Sequence, residues 1–214
     1  MKLHHFAPSS ASYRVRIALN LKGLDYQAVS VHLRQGEQHS EAFRQLSSAG
    51  LVPVLEDPPH TLTQSLAIIE YLDERYPEPP LLPRGDAGDR ALVRALALSI
   101  ACDIHPLNNL RVLNYLIGPL DVGEGAKNAW ARHWIGLGFA ALEARLAALP
   151  QRGDFCFGDT PTLADICLVP QILNAARVDT DMAPYPILRA IDARCRELSA
   201  FQRAHPAQQV GSVL

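Results

Sequence analysis

The sequence predicts an α/β domain followed by an all-helical domain. Strand and helix patterns alternate through residues 1–76, four prolines and two glycines interrupt the chain at 77–88, and only helical patterns follow. This order differs from that of a doubly wound nucleotide-binding domain. The sequence also has neither a G-x-G-x-x-G nor a G-x-x-x-x-G-K-[ST] motif.

The first domain is predicted to run βαβ, then a helix, then ββα. The helix at 10–22 has apolar residues at helical spacing and a stop at Gly23. The residues at 26–31 alternate in polarity and include the β-branched Val29 and Val31, as in a strand. The other predicted elements are strands at 2–6, 52–55 and 61–63 and helices at 40–46 and 65–76.

The segment P-E-P-P-L-L-P-R-G-D-A-G at 77–88 cannot continue a helix and has the composition of an exposed linker. We therefore predict an α/β domain at 1–80 and an all-helical domain at 88–214. The predicted helices of the second domain lie at 89–117, 124–149, 162–178 and 185–201.

The composition narrows the class of protein. With 48% hydrophobic and 20% charged residues, the chain is typical of a folded globular protein. A net charge of −2 leaves no excess of basic residues for a phosphate backbone, so we expect no nucleic-acid partner. No apolar stretch reaches the roughly 20 residues of a membrane helix, and the first ten residues lack a signal-peptide pattern. We expect a cytoplasmic protein without membrane association.

The four cysteines are Cys102, Cys156, Cys167 and Cys195, and no pair has C-x-x-C spacing. This spacing gives no support to a metal or redox site. We expect reduced thiols, as in a cytoplasmic protein.

Ser9, Ser10 and Ser12 lie where a predicted strand ends and a helix begins. One interpretation is helix capping, since a serine oxygen satisfies an orphan N–H at the first turn. The other is an anion site, because a helix N-terminus carries about half a positive charge and lowers the pKa of a thiol placed there. The spacing leaves both interpretations open, and both can hold at once.

Two further pairs begin predicted elements. Pro53 lies at the opening of a predicted strand. A cis Val52-Pro53 bond would turn the neighbouring backbone toward a ligand. Only about one X-Pro bond in 20 is cis in folded proteins, so the sequence alone gives weak support to a cis bond. Gln64 and Ser65 begin the helix at 65–76. Ser65 could cap that helix, or the pair could bind an anion such as a carboxylate.

Three segments of the first domain resemble the zeta-class glutathione transferases, which include maleylacetoacetate and maleylpyruvate isomerases. They are S-S-A-S-Y-R-V-R-I-A-L at 9–19, L-V-P-V-L at 51–55 and Q-S-L-A-I-I-E-Y-L at 64–72. In the second domain, D-I-H-P-L-N-N-L-R at 103–111 is similar to the substrate-cleft helix of the family. The segment G-D-T-P-T-L-A-D at 158–165 is similar to the family's helix-starting box, and P-Y-P at 184–186 is similar to a late loop. The resemblance spans nearly the whole chain.

The resemblance implies a thioredoxin-like first domain, a helical second domain, a homodimer and glutathione as cofactor. In the family the Val-Pro bond is cis and the valine backbone pairs with the cysteinyl part of glutathione, a role that falls here to Val52 and Pro53. The Gln-Ser pair binds the γ-glutamyl end, so Gln64 and Ser65 would hold its carboxylate. His39 is a candidate for the glycyl end.

The resemblance also assigns catalytic roles to the serines of the first helix, which activate the thiol in the family. Ser10 is our first choice, with Ser9 and Ser12 beside it, because its family counterpart directly precedes the cysteine of the motif. This chain has Ala11 in place of that cysteine. We expect the loss to be tolerated, since glutathione supplies the reacting sulfur.

A second departure concerns the substrate. Family isomerases commonly carry an arginine just before the serines, where this chain has Pro8. The resemblance leaves Arg177 as the residue that grips a substrate carboxylate, with Arg111 as a second candidate. Arg111 suits this role because a guanidinium binds carboxylates in a bidentate manner.

His105 and Asn109 are four residues apart and are predicted to share a helix face. Pro106 between them would bend the helix and free a carbonyl. These residues could form an exposed polar face beside a kink or a polar wall around a charged ligand. We assign His105 and Asn109 to the cofactor site on the second interpretation.

The segment T-L-A-D at 162–165 has the pattern of a capping box, with an aspartate at the third helical position. We predict that it stabilises the start of a buried helix. Its loss should damage folding before catalysis.

The preferred function is a glutathione-dependent cis–trans isomerisation of small keto-dicarboxylic acids, as the resemblance implies. An alternative is a transferase that conjugates glutathione to small electrophiles such as halogenated acids, which Pro8 and Ala11 make more plausible. A third possibility is a protein that binds glutathione or a partner without catalysis. The isomerase regenerates glutathione, whereas the conjugating enzyme consumes it.

Overall fold

A computed structural model describes residues 1–209 of the chain. It divides into two compact units, one formed by Met1–Leu81 with the described residues from Arg196 onward and the other by Leu82–Cys195. The predicted fold class, a thioredoxin-like α/β domain followed by an all-helical domain, is confirmed. No helix among the described residues is both long and apolar enough to cross a membrane.

The first unit contains a four-stranded sheet in the order β2-β1-β3-β4. β1 and β2 are parallel, and β1–β3 and β3–β4 are antiparallel, with Leu3 opposite Leu55 in the register. The strands are β1 (Lys2–His5), β2 (Gln27–Ser30), β3 (Val54–Asp57) and β4 (His60–Thr63). The helices are α1 (Ser10–Leu21), α2 (Glu41–Leu46), α3 (Ser65–Arg75) and the terminal α9 (Ser199–Ala204).

Helix α1 packs against both α3 and α9 and is buried along almost its whole length. It ends before Gly23, whose φ of 64° lies in the left-handed region that glycine adopts readily. Just before that stop, the buried Lys22 ammonium donates to Asp73 Oδ1 at 2.6 Å and to the carbonyls of Tyr76 and Pro79. These bonds fix the end of α1 to α3 and to the residues that follow α3.

The second unit contains α4 (Ala87–Leu98), α5 (Leu110–Ile117), α6 (Glu124–Ala147), α7 (Leu163–Ala176) and α8 (Pro186–Arg196). Helix α7 is buried through most of its length and packs on α4. The first amides of α8, those of Ile187 and Leu188, donate to the two carboxylate oxygens of Glu143 on α6 at 2.8 and 3.0 Å.

The continuous helix predicted at 89–117 is wrong. After α4, Ser99–Ile104 forms a π-helical turn and His105–Asn108 a 3₁₀ turn before α5 begins. Pro106 lacks the amide that would continue an α-helix. The side chain of Asn109 then starts α5 by accepting a hydrogen bond from the Arg111 amide at 3.1 Å.

The single helix predicted at 185–201 is also interrupted. Helix α8 ends at Arg196 and α9 begins at Ser199, with Leu198 in an extended conformation between them. The Gln202 side chain donates to the carbonyl of Arg196 at 2.8 Å and so satisfies an acceptor at the end of α8. No glycine or proline marks this break, which is why the helical pattern alone concealed it.

Candidate active site

The serine cluster lies at the start of α1, as predicted, and its three hydroxyls have different surroundings. Ser9 is the N-cap, and its oxygen accepts a hydrogen bond from the Ser12 amide at 3.2 Å. Ser12 is fully buried, and its own oxygen accepts from the Phe6 amide at 3.4 Å. Ser10 is the first residue of the helix and is 7% exposed. The hydrogen bonds of Ser9 and Ser12 hold the first turn of α1, and the choice of Ser10 as the activating hydroxyl stays a prediction.

The Val52-Pro53 bond is cis, which confirms the expectation drawn from the family. Both residues are buried and directly precede β3, the strand next to β1. Because β1 and β3 are antiparallel and β1 leads into α1, the pair lies at the same end of these strands as the start of α1.

His39 is exposed in a 3₁₀ turn at Glu37–His39, and its ring is hydrogen-bonded to Gln38 Nε2 at 3.1 Å. A Cβ added at Gly50 would lie 3.7 Å from Nδ1 of His39 and 3.0 Å from the carbonyl oxygen of Gln38. The turn thus packs against Gly50, two residues before Val52. This places His39 beside the loop that carries the predicted cysteinyl-binding backbone.

The predicted carboxylate site lies at the start of α3. Gln64 is exposed and has φ 70° and ψ 114°, a conformation that is rare for residues other than glycine and that clusters at ligand-binding sites. Ser65 begins the helix and is 7% exposed. Its hydroxyl oxygen accepts a hydrogen bond from Arg14 Nη1 at 3.4 Å. An anion at this position would meet a helix N-terminus and a hydroxyl group.

Arg14 connects the two helix starts. It lies four residues after Ser10 and therefore on the same face of α1, about 6 Å further along the axis. Through its bond to Ser65 it reaches the first residue of α3. The arrangement suits a ligand with a thiolate at one point and a carboxylate at another, which is the chemistry of glutathione. The sequence motif includes Arg14 without distinguishing it from its neighbours.

Helix α1 carries a second buried arginine, Arg16. Its side chain donates to the carbonyls of Ala7 and Ala204 at 3.0 and 2.9 Å, and Nη1 lies 3.2 Å from His5 Nδ1. Burial, reinforced by the charge of Arg16, lowers the pKa of His5 to about 4. Burial likewise lowers the pKa of Arg16 to about 10. His5 is therefore neutral at pH 7 and can accept the Arg16 hydrogen bond.

In the second unit, His105 and Asn109, which are predicted to share a helix face, lie close together although the helix is broken between them. Asn109 Nδ2 lies 3.3 Å from His105 Nε2, and the turn between them is held by Trp130, whose indole N–H donates to the Leu107 carbonyl at 2.7 Å. The side chain of Asn108, also in this turn, has both amide atoms buried without a hydrogen-bond partner among residues 1–209. The turn that interrupts the helix thus brings the polar side chains of His105, Asn108 and Asn109 close together.

The two candidate substrate arginines lie on different helices of the second unit. Arg111 is exposed in the first turn of α5, where its amide bonds to Asn109. Arg177 is exposed directly after α7, and its Nη1 donates to Asn174 Oδ1 at 3.0 Å. Both residues are exposed, and their assignment to the substrate site stays a prediction.

The capping box at 162–165 is present and buried. Asp165 Oδ2 accepts from the Thr162 amide and hydroxyl, both at 2.8 Å, and Oδ1 accepts from the Cys156 amide at 2.8 Å. Burial raises the pKa of Asp165 above its ordinary value of 3.8, against the effect of these hydrogen bonds. All its contacts are internal, which agrees with a structural role.

Two family models match the chain, the glutathione S-transferase N-terminal domain at residues 3–80 and the C-terminal domain at residues 135–191. The chain is 53% identical over 212 residues to a maleylpyruvate isomerase of Ralstonia sp., with 99% of this chain and 100% of the relative covered.

Two solved structures extend the comparison. A holo structure of a maleylpyruvate isomerase described as a bacterial zeta-class glutathione S-transferase has a TM-score of 0.97 at 52% identity, with both chains fully covered. A maleylacetoacetate isomerase from Methylobacterium extorquens AM1 with bound malonate and GSH has a TM-score of 0.96 at 38% identity, again with both chains fully covered. The chain therefore belongs to the glutathione S-transferase family and, within it, to the zeta class of maleylacetoacetate and maleylpyruvate isomerases.

Proposed function

We propose that this protein catalyses the glutathione-dependent cis–trans isomerisation of a small keto-dicarboxylic acid of the maleylacetoacetate or maleylpyruvate type. The observation that carries the proposal is the 53% identity, over 99% of the chain, to a maleylpyruvate isomerase. The bound GSH and malonate of the Methylobacterium relative support a site for glutathione and for a dicarboxylate.

Glutathione would be held by the first unit. Val52 would pair its backbone with the cysteinyl part, next to the cis bond to Pro53. Gln64 and Ser65 would hold the γ-glutamyl carboxylate at the start of α3, and His39 would reach the glycyl end. When bound, glutathione supplies a thiolate that adds reversibly to the activated double bond of the substrate and so permits rotation about it.

Ser10 would stabilise the thiolate at the start of α1. Ser10 is the first residue of α1 and so belongs to the turn at the positive end of the helix dipole, which supports this role. Ser9 and Ser12 would support it by holding the first turn through the Ser9–Ser12 and Ser12–Phe6 hydrogen bonds. A thiol that is ionised at neutral pH is the nucleophile that this reaction requires.

Residues of the second unit would bind the substrate. Arg111 and Arg177 are exposed guanidinium groups that can pair with carboxylates and stabilise the negative charge that develops on the keto group. His105 and Asn109 would contribute hydrogen-bonding groups to the bound cofactor. With Pro8 in place of an arginine, we expect these two arginines to provide most of the carboxylate recognition.

A turnover assay with substoichiometric glutathione tests the proposal. Purified protein is mixed with maleylpyruvate or maleylacetoacetate at a large excess over glutathione, and the cis-keto absorbance and free thiol are followed together. We expect many turnovers per glutathione at constant free thiol. A glutathione analogue with a methyl group in place of the thiol should support no turnover. Failure of the cis acids to react with glutathione present would exclude the proposal.

Conjugation is the second candidate function, and Pro8 and Ala11 are the observations that favour it. With a halogenated acid as substrate, conjugation consumes one thiol for each halide released. Measuring thiol loss and halide release in the same assay therefore separates conjugation from isomerisation. We expect isomerisation to be the faster reaction.

We also infer from the family that the protein is a homodimer in the cytoplasm. The four cysteines all lie within the described residues and form no disulfide with one another. Light scattering on the purified protein tests the dimer, for which we expect twice the 23.5 kDa chain mass. Cell fractionation of the native host tests the location.

A further inference from the structure

Arg14 is a buried cation whose hydrogen-bonding capacity is largely unused. The side chain lies in the middle of α1 and is 2% exposed. Nη1 donates to Ser65 Oγ at 3.4 Å, but Nε and Nη2 have no hydrogen-bond partner in the described part of the chain. A guanidinium offers five donor hydrogens, so most of its capacity is open.

Such a group is costly to bury. A charge removed from water loses its hydration and is normally compensated by an opposite charge or by a full set of hydrogen bonds. Within residues 1–209, the contacts of Arg14 include one long hydrogen bond to a neutral hydroxyl and no ion pair. A carboxylate arriving nearby would recover part of the lost hydration energy.

Burial alone does not explain why Arg14 lacks hydrogen-bond partners, because Arg16 lies two residues further on and is equally buried. All three nitrogens of Arg16 have partners, namely the carbonyls of Ala7 and Ala204 and the ring of His5. The fold therefore satisfies one arginine of the R-V-R sequence and leaves the other with open donors. The difference points to a partner of Arg14 from outside the chain.

The position of Arg14 indicates which part of a ligand this is. Among the described residues its one hydrogen bond is to Ser65, the first residue of α3, where the first amides and the helix dipole already favour an anion. Because Arg14 donates to the Ser65 oxygen, that hydroxyl keeps its own hydrogen for another acceptor. A ligand carboxylate at the start of α3 would receive this hydrogen and lie close to the guanidinium.

We propose that Arg14 is a positioning residue that acts through Ser65 to select the α-carboxylate at the γ-glutamyl end of glutathione. It fixes the Ser65 hydroxyl as a donor and supplies the positive charge behind it. The inference rests on the proposed function and adds to it the residue that makes the cofactor site specific for an anionic end. Since its hydrogen bond is to Ser65, at the predicted carboxylate site, Arg14 should govern cofactor binding more than the chemical step.

The test compares two ligands on matched variants. The ligands are glutathione and an analogue in which the α-carboxylate is a primary amide. The variants are Arg14→Met, Arg14→Lys and, as a control, Arg75→Met, which removes the same charge from the exposed end of α3. Dissociation constants are measured by calorimetry, and kcat and KM for glutathione by the isomerase assay. Thermal unfolding shows which variants are folded.

We expect the unmodified protein to prefer glutathione over the amide by about 10- to 100-fold, the size of a hydrogen bond to a charged group. Arg14→Met should weaken the binding of glutathione by a similar factor and leave the binding of the amide nearly unchanged. The kcat at saturating glutathione should also be nearly unchanged. Arg14→Lys keeps a charge and should retain part of the preference, which provides the test if Arg14→Met does not fold. Arg75→Met should keep the full preference within about twofold.

A double-mutant cycle with Ser65→Ala tests whether Arg14 influences glutathione binding through Ser65. If Arg14 acts through Ser65, the double variant should lose little more affinity than the worse single variant. Additive losses would overturn the role of Ser65, and an unchanged ligand preference in a folded Arg14 variant would overturn the proposal. The proposed function fails separately, by the absence of glutathione binding and turnover in the unmodified protein.

Discussion

Arg16 on α1 donates a hydrogen bond of 2.9 Å to the carbonyl of Ala204 on α9, a residue 188 positions later in the chain. The same guanidinium reaches the Ala7 carbonyl at 3.0 Å, just before the serine cluster. One buried side chain thus ties the end of the described chain to the segment that positions Ser9 and Ser10. Helix α9 is in this way part of the support of the cofactor-binding unit.

Replacing Arg16 with methionine should destabilise the protein strongly. The methionine can fill much of the volume, but the carbonyls of Ala7 and Ala204 would remain buried without a donor. We expect the free energy of unfolding to fall by about 2 to 4 kcal/mol, measured by urea denaturation. The control is Arg34→Met, an exposed site where a change below about 0.5 kcal/mol is expected. Equal effects at both sites would contradict the role of Arg16.

His5 should make stability depend on pH. Its pKa is about 4 in the folded protein, lowered from 6.5 by burial and then by the charge of Arg16. The unfolded chain therefore binds more protons than the folded one between these two values. Stability should be fully present above about pH 6.5 and fall as the pH drops to about 4, by about 3 kcal/mol from this group.

Urea denaturation across this pH range measures the effect. In a His5→Gln variant the part of the slope due to this group should disappear. His60→Gln, at an exposed position on β4, should keep the slope of the unmodified protein. A His5→Gln variant with an unchanged slope would show that other groups produce the pH dependence.

The fold followed from local patterns, whereas the helix breaks did not. The alternation of strands and helices, the proline-rich segment at 77–88 and the long apolar helices are all properties of adjacent residues. The π-helical turn at Ser99–Ile104 keeps the apolar pattern of a helix, so periodicity conceals it. The break before α9 depends on Gln202 bonding back to the Arg196 carbonyl, and no local sequence signal announces that bond.

In the candidate site, too, some features could be predicted from local patterns and others could not. Motifs predict that Ser10 and Ser65 lie at the starts of helices and that Val52 lies near the start of a strand. The sequence R-V-R could not reveal that Arg14 and Arg16 have different surroundings, because their partners Ser65 and Ala204 are distant in the chain. Long-range packing decides which arginine is satisfied, and short motifs carry no information about it.

Ser10→Ala should raise the pKa of the glutathione thiol in the binary complex. A hydroxyl that donates to a thiolate stabilises the charged form, and its loss should raise that pKa by about 1 to 2. The measurement is the thiolate absorbance of bound glutathione as a function of pH. Ser12→Ala is the comparison, since its hydroxyl accepts from the buried Phe6 amide. It should lower stability by about 1 kcal/mol with a smaller effect on the thiol. A larger thiol effect in Ser12→Ala would reverse the assignment.

Asp165→Ala should damage folding and leave the cofactor site intact. The carboxylate accepts three hydrogen bonds of 2.8 Å, from the Thr162 amide, the Thr162 hydroxyl and the Cys156 amide, and all three donors would be left buried. We expect a loss of about 3 to 5 kcal/mol in the free energy of unfolding, at the upper end for a single substitution. Glutathione affinity, measured by calorimetry at a temperature where the variant is folded, should be unchanged because the Asp165 carboxylate bonds to Thr162 and Cys156, neither of which is assigned to the cofactor site. Asp159→Ala is the matched control, since Asp159 is exposed and accepts one 3.4 Å bond from the Asp154 amide. A folded, stable Asp165→Ala protein that had lost glutathione binding would show that the capping box acts on the cofactor site directly.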